Sequence, residues 1–277
     1  MRRGLMMHAN GRVTTAAGPH KRFEALFNGR AFAPHRHDTY TFALTLKGVQ
    51  SFEYRGACRH SLPGELVILH PDELHDGMAG TDEAFGYRGL NIRPEEFEHA
   101  LAGRALPFIE GGRSTDRQLI ALVHDLVRDL ATPVNALDWS AAMTELADRL
   151  CAVETGQDID RPIDHRAVYR ARDHTLAHLD EPITMEALEN VTGGSRWNLA
   201  RDFRALMGTS PYRYVTLRRL DAARVLIANG TPLASAACAT GFSDQAHLTR
   251  QFKGNFGVTP KAWVKLLDTC THGTIIQ

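Results

Sequence analysis

The segment Ser195–Phe203 reads SRWNLARDF, and 49 residues later Asp244–Phe252 reads DQAHLTRQF. Both segments have a polar first residue, a Leu at the fifth position, an Arg at the seventh and a Phe at the ninth. A unit that recurs at a fixed offset indicates two copies of one structural module. The same offset continues downstream in the pairs Gly208/Gly257, Ser210/Thr259, Pro211/Pro260, Tyr214/Trp263 and Val215/Val264.

Each copy has the pattern of a helix-turn-helix module. In the first copy, Thr184 precedes a short helix, Gly193 ends it, and Ser195 caps the next helix. In the second copy, Gly241 is the turn glycine and Asp244 is the cap. Leu and Phe four positions apart place the apolar side chains on one face of each second helix, so the polar side chains occupy the opposite face.

The polar faces of the two second helices carry side chains that suit contacts with DNA. Arg and Gln can form paired hydrogen bonds with guanine and adenine, and the methyl group of Ala or Thr suits thymine. In the alternative interpretation, Trp197 is a core aromatic residue, and Arg201 and Arg250 form salt bridges within the domain. The predicted DNA-binding residues are Arg196, Trp197, Ala200, Arg201, Arg204, Gln245, Ala246, Thr249, Arg250 and Lys253.

A predicted helix over Tyr212–Asn229 connects the two modules, with Leu217, Leu220 and Leu226 at helical spacing. A helix of about 16 to 18 residues spans roughly 25 Å. We call the second helix of each module its reading helix. Together with the widths of the reading helices, this connector can hold the two modules about one DNA turn, roughly 34 Å, apart.

Composition and charge restrict the class of protein. The 277 residues are 43% hydrophobic, which suits a globular chain with more than one domain and excludes a disordered one. The net charge is zero, but residues 165–268 contain 14 Lys and Arg against nine Asp and Glu, so the repeat region is basic. We expect neither a membrane span nor a signal peptide, because no run approaches roughly 18 apolar residues and no apolar stretch of signal-peptide length follows Met1-Arg2-Arg3. The four cysteines form no CxxC motif and are predicted to be reduced and mostly buried, which suggests the cytoplasm.

The first half of the chain has the period-two patterns and tight turns of short strands between Thr39 and Ile92. His35-x-His37, the segment Pro63-x-Glu65 and His75 resemble the two sequence motifs of the cupin fold, a small β-barrel made of two sheets. The resemblance covers roughly residues 20–95 and implies that these histidines face the barrel interior. The predicted effector-binding residues are His35, His37, Tyr40, Phe42 and His75.

Metal binding by these histidines is a separate question. In metal-binding cupins a carboxylate follows the His pair after three or four residues, whereas residues 38–42 read DTYTF, with no Glu. We therefore predict no metal and no cofactor, and expect His35, His37 and His75 to contact an organic ligand. Two alternatives stay open: the three imidazoles hold a divalent ion, or they only satisfy neighbouring backbone groups.

Two amphipathic segments follow the predicted barrel. Residues 118–131 and the stripe Trp139, Met143, Leu146 and Leu150 predict two helices, which either form an interface between subunits or pack on their own barrel. The polar stretch of residues 156–164 is the predicted interdomain linker. The sequence thus predicts an α+β multidomain protein, with a cupin-like effector-binding domain at 1–110, a helical dimerisation and linker segment at 111–156, and an all-α DNA-binding domain at 165–268.

The C-terminal region resembles that of AraC/XylS-type transcription regulators. The resemblance is carried by the motif GFxDxxHLxRxFKxxFGxTP, which begins at Gly241 and ends at Pro260. It implies a homodimeric regulator, not an enzyme, that binds a small effector in the barrel and promoter DNA through both modules, and that activates transcription by contacting RNA polymerase. Two departures are present: Glu189 replaces the family's usual Ala, and the turn glycines are 48 residues apart whereas the reading helices are 49 apart.

Three rival interpretations come from other functional classes. The first is a metal-dependent cupin enzyme, an oxygenase or isomerase, that uses His35, His37 and His75. The second is a metal-sensing regulator that uses the same three residues. The third is an architectural protein that binds DNA without sequence preference, which predicts a similar salt dependence of binding on any duplex.

Overall fold

The chain folds into two compact units, a strand-rich N-terminal unit and an all-helical C-terminal unit. The computed structural model describes residues 5–8, 11–155, 162–256 and 258–264. Residues 156–161 of the predicted linker, Cys270 and the end of the predicted DNA-binding domain, residues 265–268, lie outside this described part.

The N-terminal unit contains two antiparallel sheets, which confirms the predicted double sheet. The larger sheet has the strand order β1-β2-β3-β10-β5-β8-β11, and the smaller has the order β4-β9-β6-β7. The sequence analysis placed no strand before Thr39, although Phe23, Ala25 and Phe27 alternate along β3 in the structure. The strands are β1 (Leu5–His8), β2 (Gly11–Thr15), β3 (Lys21–Phe27), β4 (Arg30–His35), β5 (Tyr40–Lys47), β6 (Gln50–Tyr54), β7 (Ala57–Ser61), β8 (Leu66–Leu69), β9 (His75–Ala79), β10 (Phe85–Ile92) and β11 (Arg113–Ser114).

The described α-helices of the N-terminal unit are α1 (Glu98–Leu101), α2 (Arg117–Val127) and α3 (Ala136–Ala152), and two short 3-10 helices cover Pro94–Phe97 and Glu110–Gly112. The inner faces of α2 and α3 share one apolar core with the larger sheet. At the start of α2, the Asp116 carboxylate accepts a hydrogen bond of 2.8 Å from the Leu119 amide and another of 2.8 Å from Arg149 of α3. The two helices predicted at 111–156 therefore pack on their own sheet and keep their outer faces exposed.

The buried Arg22 side chain attaches the larger sheet to the end of α2. Its guanidinium donates to the backbone carbonyl groups of Leu126, Asp129 and Thr132 at 2.9, 2.8 and 2.8 Å. Carbonyl groups at a helix C-terminus lack intrahelical partners, so a buried cation there satisfies groups that would otherwise be unpaired.

The C-terminal unit consists of α4 (His165–Ala177), α5 (Met185–Thr192), α6 (Arg196–Met207), α7 (Pro211–Ala228), α8 (Leu233–Ala239) and α9 (Gln245–Phe256), and residues 260–264 are also helical. Two apolar clusters form within it, one around Leu199 and Phe203 of α6 and one around Leu248 and Phe252 of α9. The paired helices α5–α6 and α8–α9, with α7 between them, confirm the two predicted modules and their connecting helix.

Two further sequence expectations have mixed outcomes. None of the described helices combines the length and the apolar character that a membrane crossing requires. Cys58 and Cys238 are exposed and Cys151 is half-buried, so the prediction of mostly buried thiols is wrong for the cysteines that the structure describes. Cys58 is on β7, at the edge of the smaller sheet.

Candidate functional site

A cavity of about 600 Å³ lies in the N-terminal unit and is lined by strands of both sheets. Strands β2, β3, β5, β8 and β10 contribute from the larger sheet, and β4, β6 and β9 contribute from the smaller. Most of the lining is apolar. The volume of the cavity falls within the roughly 300–1,000 Å³ typical of sites for small molecules. We call this space the barrel cavity.

The three predicted histidines meet at the barrel cavity. His35 of β4 and His75 of β9 are register partners in the antiparallel pair, and their ring centroids are 4.4 Å apart. The ring centroid of His37 is 4.7 Å from that of His75. Burial lowers the pKa of all three imidazoles, that of His75 to about 4, so the rings are uncharged at neutral pH. Neutral imidazoles can accept hydrogen bonds or bind a cation.

Two of the predicted effector-binding residues do not line the barrel cavity, which corrects that part of the prediction. Side chains alternate along β5, so Thr41 and Ala43 face the cavity while Tyr40 and Phe42 face the core under α2 and α3. The Tyr40 hydroxyl donates a hydrogen bond of 2.7 Å to the Pro107 carbonyl, away from the cavity.

Sequence reasoning missed several residues that line the cavity. Four aromatic residues, with Gln50 and Leu69, form much of its wall. Alternation in the predicted strand at residues 85–92 could have identified two of the aromatic residues, but the others are on strands that only the structure revealed. These missed residues are Phe23, Phe32, Gln50, Leu69, Phe85 and Tyr87.

In the C-terminal unit, the second helix of the first module begins at its predicted cap. The Ser195 hydroxyl accepts a hydrogen bond of 3.4 Å from the Asn198 amide, and the spine residues Leu199 and Phe203 are buried. The Trp197 side chain is 80% exposed, which excludes the core-aromatic interpretation. The five predicted residues on α6 are exposed or, at Ala200, half-buried.

The second helix of the second module has the same arrangement. Asp244 caps α9 by accepting a hydrogen bond of 2.6 Å from the His247 amide. Gln245, Ala246, Arg250 and Lys253 are exposed, and Thr249 is half-buried. Both second helices therefore present the predicted residues on the face opposite the buried spine.

Salt bridges distinguish the two modules. The Arg201 guanidinium lies 3.4 Å from Asp202 and donates to the Asn198 side chain at 3.0 Å, so the salt-bridge alternative applies to Arg201 in part. For Arg250, no salt bridge forms among the described residues, although its charge contributes to the lowered pKa of Asp244, which is set chiefly by the hydrogen bond from the His247 amide.

The connecting helix α7 fixes the separation between the modules. Its 18 residues correspond to about 27 Å. Arg219 of α7 donates to the Leu179 and Glu181 carbonyl groups, before α5, at 2.7 and 2.6 Å. Gly241 of the second turn packs against the same arginine, because a Cβ placed there would lie 2.7 Å from the Arg219 guanidinium carbon. One side chain thus ties elements of both modules together.

Comparison with known families gives two matches that correspond to the two units. Residues 19–147 match the model of an AraC-like ligand binding domain, and residues 188–265 match a helix-turn-helix domain. The chain is 31% identical over 114 residues to the multiple antibiotic resistance protein MarA of Salmonella typhimurium, which covers 41% of this chain and 87% of MarA.

The chain belongs to the AraC family of transcription regulators.

Other relatives extend this likeness over most of the AraC-family chain. The HTH-type transcriptional regulator YbfI of Bacillus subtilis is 27% identical over 246 residues, which cover 85% of this chain and 89% of YbfI. The solved structure of ToxT from Vibrio cholerae superposes with a TM-score of 0.64 at 10% identity, and covers 90% of this chain and 99% of ToxT. A structure of ToxT bound to an unsaturated fatty acid has a TM-score of 0.62 at 12% identity, over 98% of this chain and all of ToxT.

These matches choose between the functional classes that the sequence left open. A transcription regulator with an N-terminal ligand-binding domain is favoured over a metal-dependent cupin enzyme. At Glu189, where the AraC family usually has Ala, the carboxylate forms a salt bridge with Arg196 of α6. From turn glycine to reading helix, the second turn is one residue longer than the first, as the spacing predicted.

Proposed function

We propose that α6 and α9 insert into successive major grooves of promoter DNA and that a small organic molecule in the barrel cavity controls this activity. Arg196, Trp197 and Arg201 contact bases in one groove. Gln245, Thr249 and Arg250 contact bases in the next groove. Lys253 and other basic side chains contact phosphates. The protein would act in the cytoplasm, where bacterial promoter DNA is accessible.

The exposed polar faces of α6 and α9 are the observation that carries this proposal. Each face lies opposite a fully buried Leu and Phe, so the fold does not need the polar side chains for its core. Arg, Gln and Thr are among the residue types that read base edges directly. The length of α7, about 27 Å, is compatible with a separation of one helical turn of DNA between α6 and α9.

The lining of the barrel cavity supports an effector with an apolar body and a polar group. Aromatic residues form much of the wall, whereas His35, His37, His75 and Gln50 offer polar atoms. ToxT, which has the same fold, has been solved with an unsaturated fatty acid bound. An amphiphile of that general kind, or a smaller aromatic compound with one polar group, matches the chemistry of this wall.

We further propose that the protein is a homodimer and an activator that contacts RNA polymerase. The outer faces of α2 and α3 support dimerisation, because Leu137 of α3 is 79% exposed. Sedimentation velocity of the wild type and of Leu137→Asp tests this part, since a dimer that uses this face should dissociate in the variant. A monomeric wild type, or a variant that remains dimeric, contradicts the assignment of the interface.

Selection of binding sites from random DNA tests the main proposal. The full chain should enrich a bipartite sequence whose two halves are about one helical turn apart. Arg201→Ala should lose base preference in one half and Arg250→Ala in the other. The control Arg166→Ala removes an exposed arginine of α4 and should leave the motif unchanged. The proposal fails if no sequence is enriched, or if both α6 and α9 variants select the wild-type motif.

A further inference from the structure

Three imidazoles of the barrel cavity converge on one point. One ring nitrogen of each of His35, His37 and His75 lies within 4.8 Å of the other two. Their convergence depends on the pairing of β4 with β9, which places His35 directly opposite His75.

Backbone contacts decide which ring nitrogen carries the proton. In each of the three rings Nδ1 lies 2.9 Å from a backbone carbonyl oxygen two residues away. A carbonyl oxygen has no proton to give, so each Nδ1 must be the donor and each neutral ring keeps an unprotonated Nε2. The three contacts join His35 to Ala33, His37 to Thr39 and His75 to Glu73.

Among the described residues, the side chains nearest these Nε2 atoms have their protons or oxygens engaged elsewhere. Thr41 Oγ1 lies 3.2 Å from Nε2 of His37, but its hydroxyl proton is donated to Asn91 Oδ1 at 2.8 Å. Asp76, the nearby buried acid, has one carboxylate oxygen engaged by the Glu53 amide at 2.7 Å. A cation satisfies several converging lone pairs at once.

In place of the metal-free site expected from the sequence, we propose that His35, His37 and His75 bind one divalent transition-metal ion whose open coordination positions face the barrel cavity. Imidazole nitrogen suits ions such as Zn²⁺, Ni²⁺, Co²⁺ and Cu²⁺, in contrast to the oxygen ligands that Mg²⁺ and Ca²⁺ require. A histidine that binds a metal through one ring nitrogen usually donates a hydrogen bond from its other ring nitrogen to a backbone carbonyl group or a carboxylate, and we call such a group an outer partner. Three protein ligands leave at least one position open, to which an oxygen or nitrogen atom of the effector can bind.

This site differs in charge from a three-histidine site completed by a carboxylate. Thr41, paired with Asn91, occupies part of the segment where metal-binding cupins have a carboxylate. The three neutral ligands remove no charge from the ion, and among the described residues only the nearby Asp76 carboxylate opposes it, so an anionic group of the effector is the favoured fourth ligand. The inference rests on the proposed function, because it assigns the chemistry by which the barrel cavity holds its effector.

Zinc binding by the purified full chain, treated with a chelator and then dialysed with Zn²⁺, tests the site. The wild type should retain one Zn²⁺ per chain. Alanine at His35, His37 or His75 should weaken binding by more than the roughly 10- to 100-fold loss typical of outer partners. The matched control is His20→Ala, which removes another imidazole that lines the same cavity and stacks on Trp139. Thr41→Glu adds a carboxylate beside His37 and should bind Zn²⁺ more tightly than the wild type.

X-ray absorption of the zinc-loaded wild type gives a result that does not depend on the folding of any variant. The expected spectrum has nitrogen ligands at about 2.0–2.1 Å and no sulfur shell near 2.3 Å. A sulfur shell would assign the ion to an exposed cysteine and overturn the inference, as would less than stoichiometric zinc in the wild type or unchanged binding by all three alanine variants. DNA selection by the chelator-treated chain remains a separate test of the proposed function.

Discussion

The Glu189 carboxylate contacts Arg196 twice, accepting a hydrogen bond of 2.6 Å from its backbone amide and one of 2.9 Å from its guanidinium. The first contact satisfies an unpaired amide at the start of α6, and the second fixes the direction of the arginine side chain. These contacts also lower the pKa of Glu189, so the carboxylate stays charged at neutral pH. The departure from the family's usual Ala thus places a negative charge beside a predicted base-reading residue.

Removal of Glu189 should change how the first module reads DNA. In Glu189→Ala the arginine loses its fixed direction, so we expect weaker preference for one base pair in the selected site. Loss of a negative charge near the phosphates should at the same time strengthen binding to unrelated duplexes. Binding to the selected site and to each of its single-base variants, at two salt concentrations, measures both effects.

A double-mutant cycle connects this effect to Arg196. If Glu189 acts by positioning Arg196, its replacement should not alter base preference in an Arg196→Ala background. Glu189→Gln removes the charge and keeps one acceptor oxygen in place of two, so it can accept only one of the two hydrogen bonds and should retain part of the preference. An unchanged base profile in Glu189→Ala would show that the ion pair has no part in reading DNA.

Substitution of Arg250 and of Lys253, both on α9, should affect DNA binding in different ways. Arg250→Ala should cost about 1–3 kcal/mol and relax discrimination at one base pair. Lys253→Ala should weaken binding to all sequences alike and reduce the salt slope by about one. Affinities for the selected site and for scrambled DNA separate the two outcomes. An equal ratio of those affinities in the wild type and Arg250→Ala would remove Arg250 from the base-reading set.

Gly193 and Gly241 offer a matched test of turn packing, since both have a φ of +73°. Nothing lies within 4 Å of a Cβ at Gly193, whereas a Cβ at Gly241 would lie 2.5 Å from the Leu179 carbonyl oxygen. Gly193→Ala should cost about 1–2 kcal/mol through backbone strain. Gly241→Ala should cost about 1–3 kcal/mol more through overpacking. Urea unfolding monitored by circular dichroism measures both, and equal losses would contradict the close contact.

Acid should destabilise the N-terminal unit through His70. Burial lowers the pKa of His70 to about 3, from an ordinary value of 6.5, while its ring contacts the Tyr54 hydroxyl at 2.6 Å and the Ile109 amide at 3.0 Å. Below pH 6.5 the unfolded chain takes up a proton that the folded state excludes. The free energy of unfolding therefore falls as the pH drops from 6.5 toward about 3, by up to about 1.4 kcal/mol per pH unit for one group.

Replacement of His70 should remove its share of this pH dependence. His70→Gln should lower stability at pH 7 but show a smaller further loss between pH 6.5 and 4.5 than the wild type. The exposed His99, changed to Gln, is the control and should reproduce the wild-type slope. Urea midpoints across that range provide the measurement, and equal slopes in the wild type and His70→Gln would contradict the assignment.

The helical half of the chain was predictable because local sequence carries most of its structure. Ser195, Asp244 and the turn glycines mark where helices begin and end, and the Leu and Phe spines identify the buried faces. The strand half was harder, since a period-two pattern gives alternation but not which face is inside. On β5 the large aromatic residues Tyr40 and Phe42 suggested a pocket, yet the helices of the same unit cover that face.

The amino-acid sequence by itself determined the two modules, the connecting helix, the double sheet and the family, because caps, turn glycines and apolar periodicity act over a few residues. Only the tertiary structure decided which strand faces line the barrel cavity, that His35 opposes His75, and that Glu189 holds Arg196. Those contacts depend on strand register and on the packing of elements distant in the chain. Burial then lowers the pKa of His35, His37, His70 and His75, which no local pattern of residues can specify.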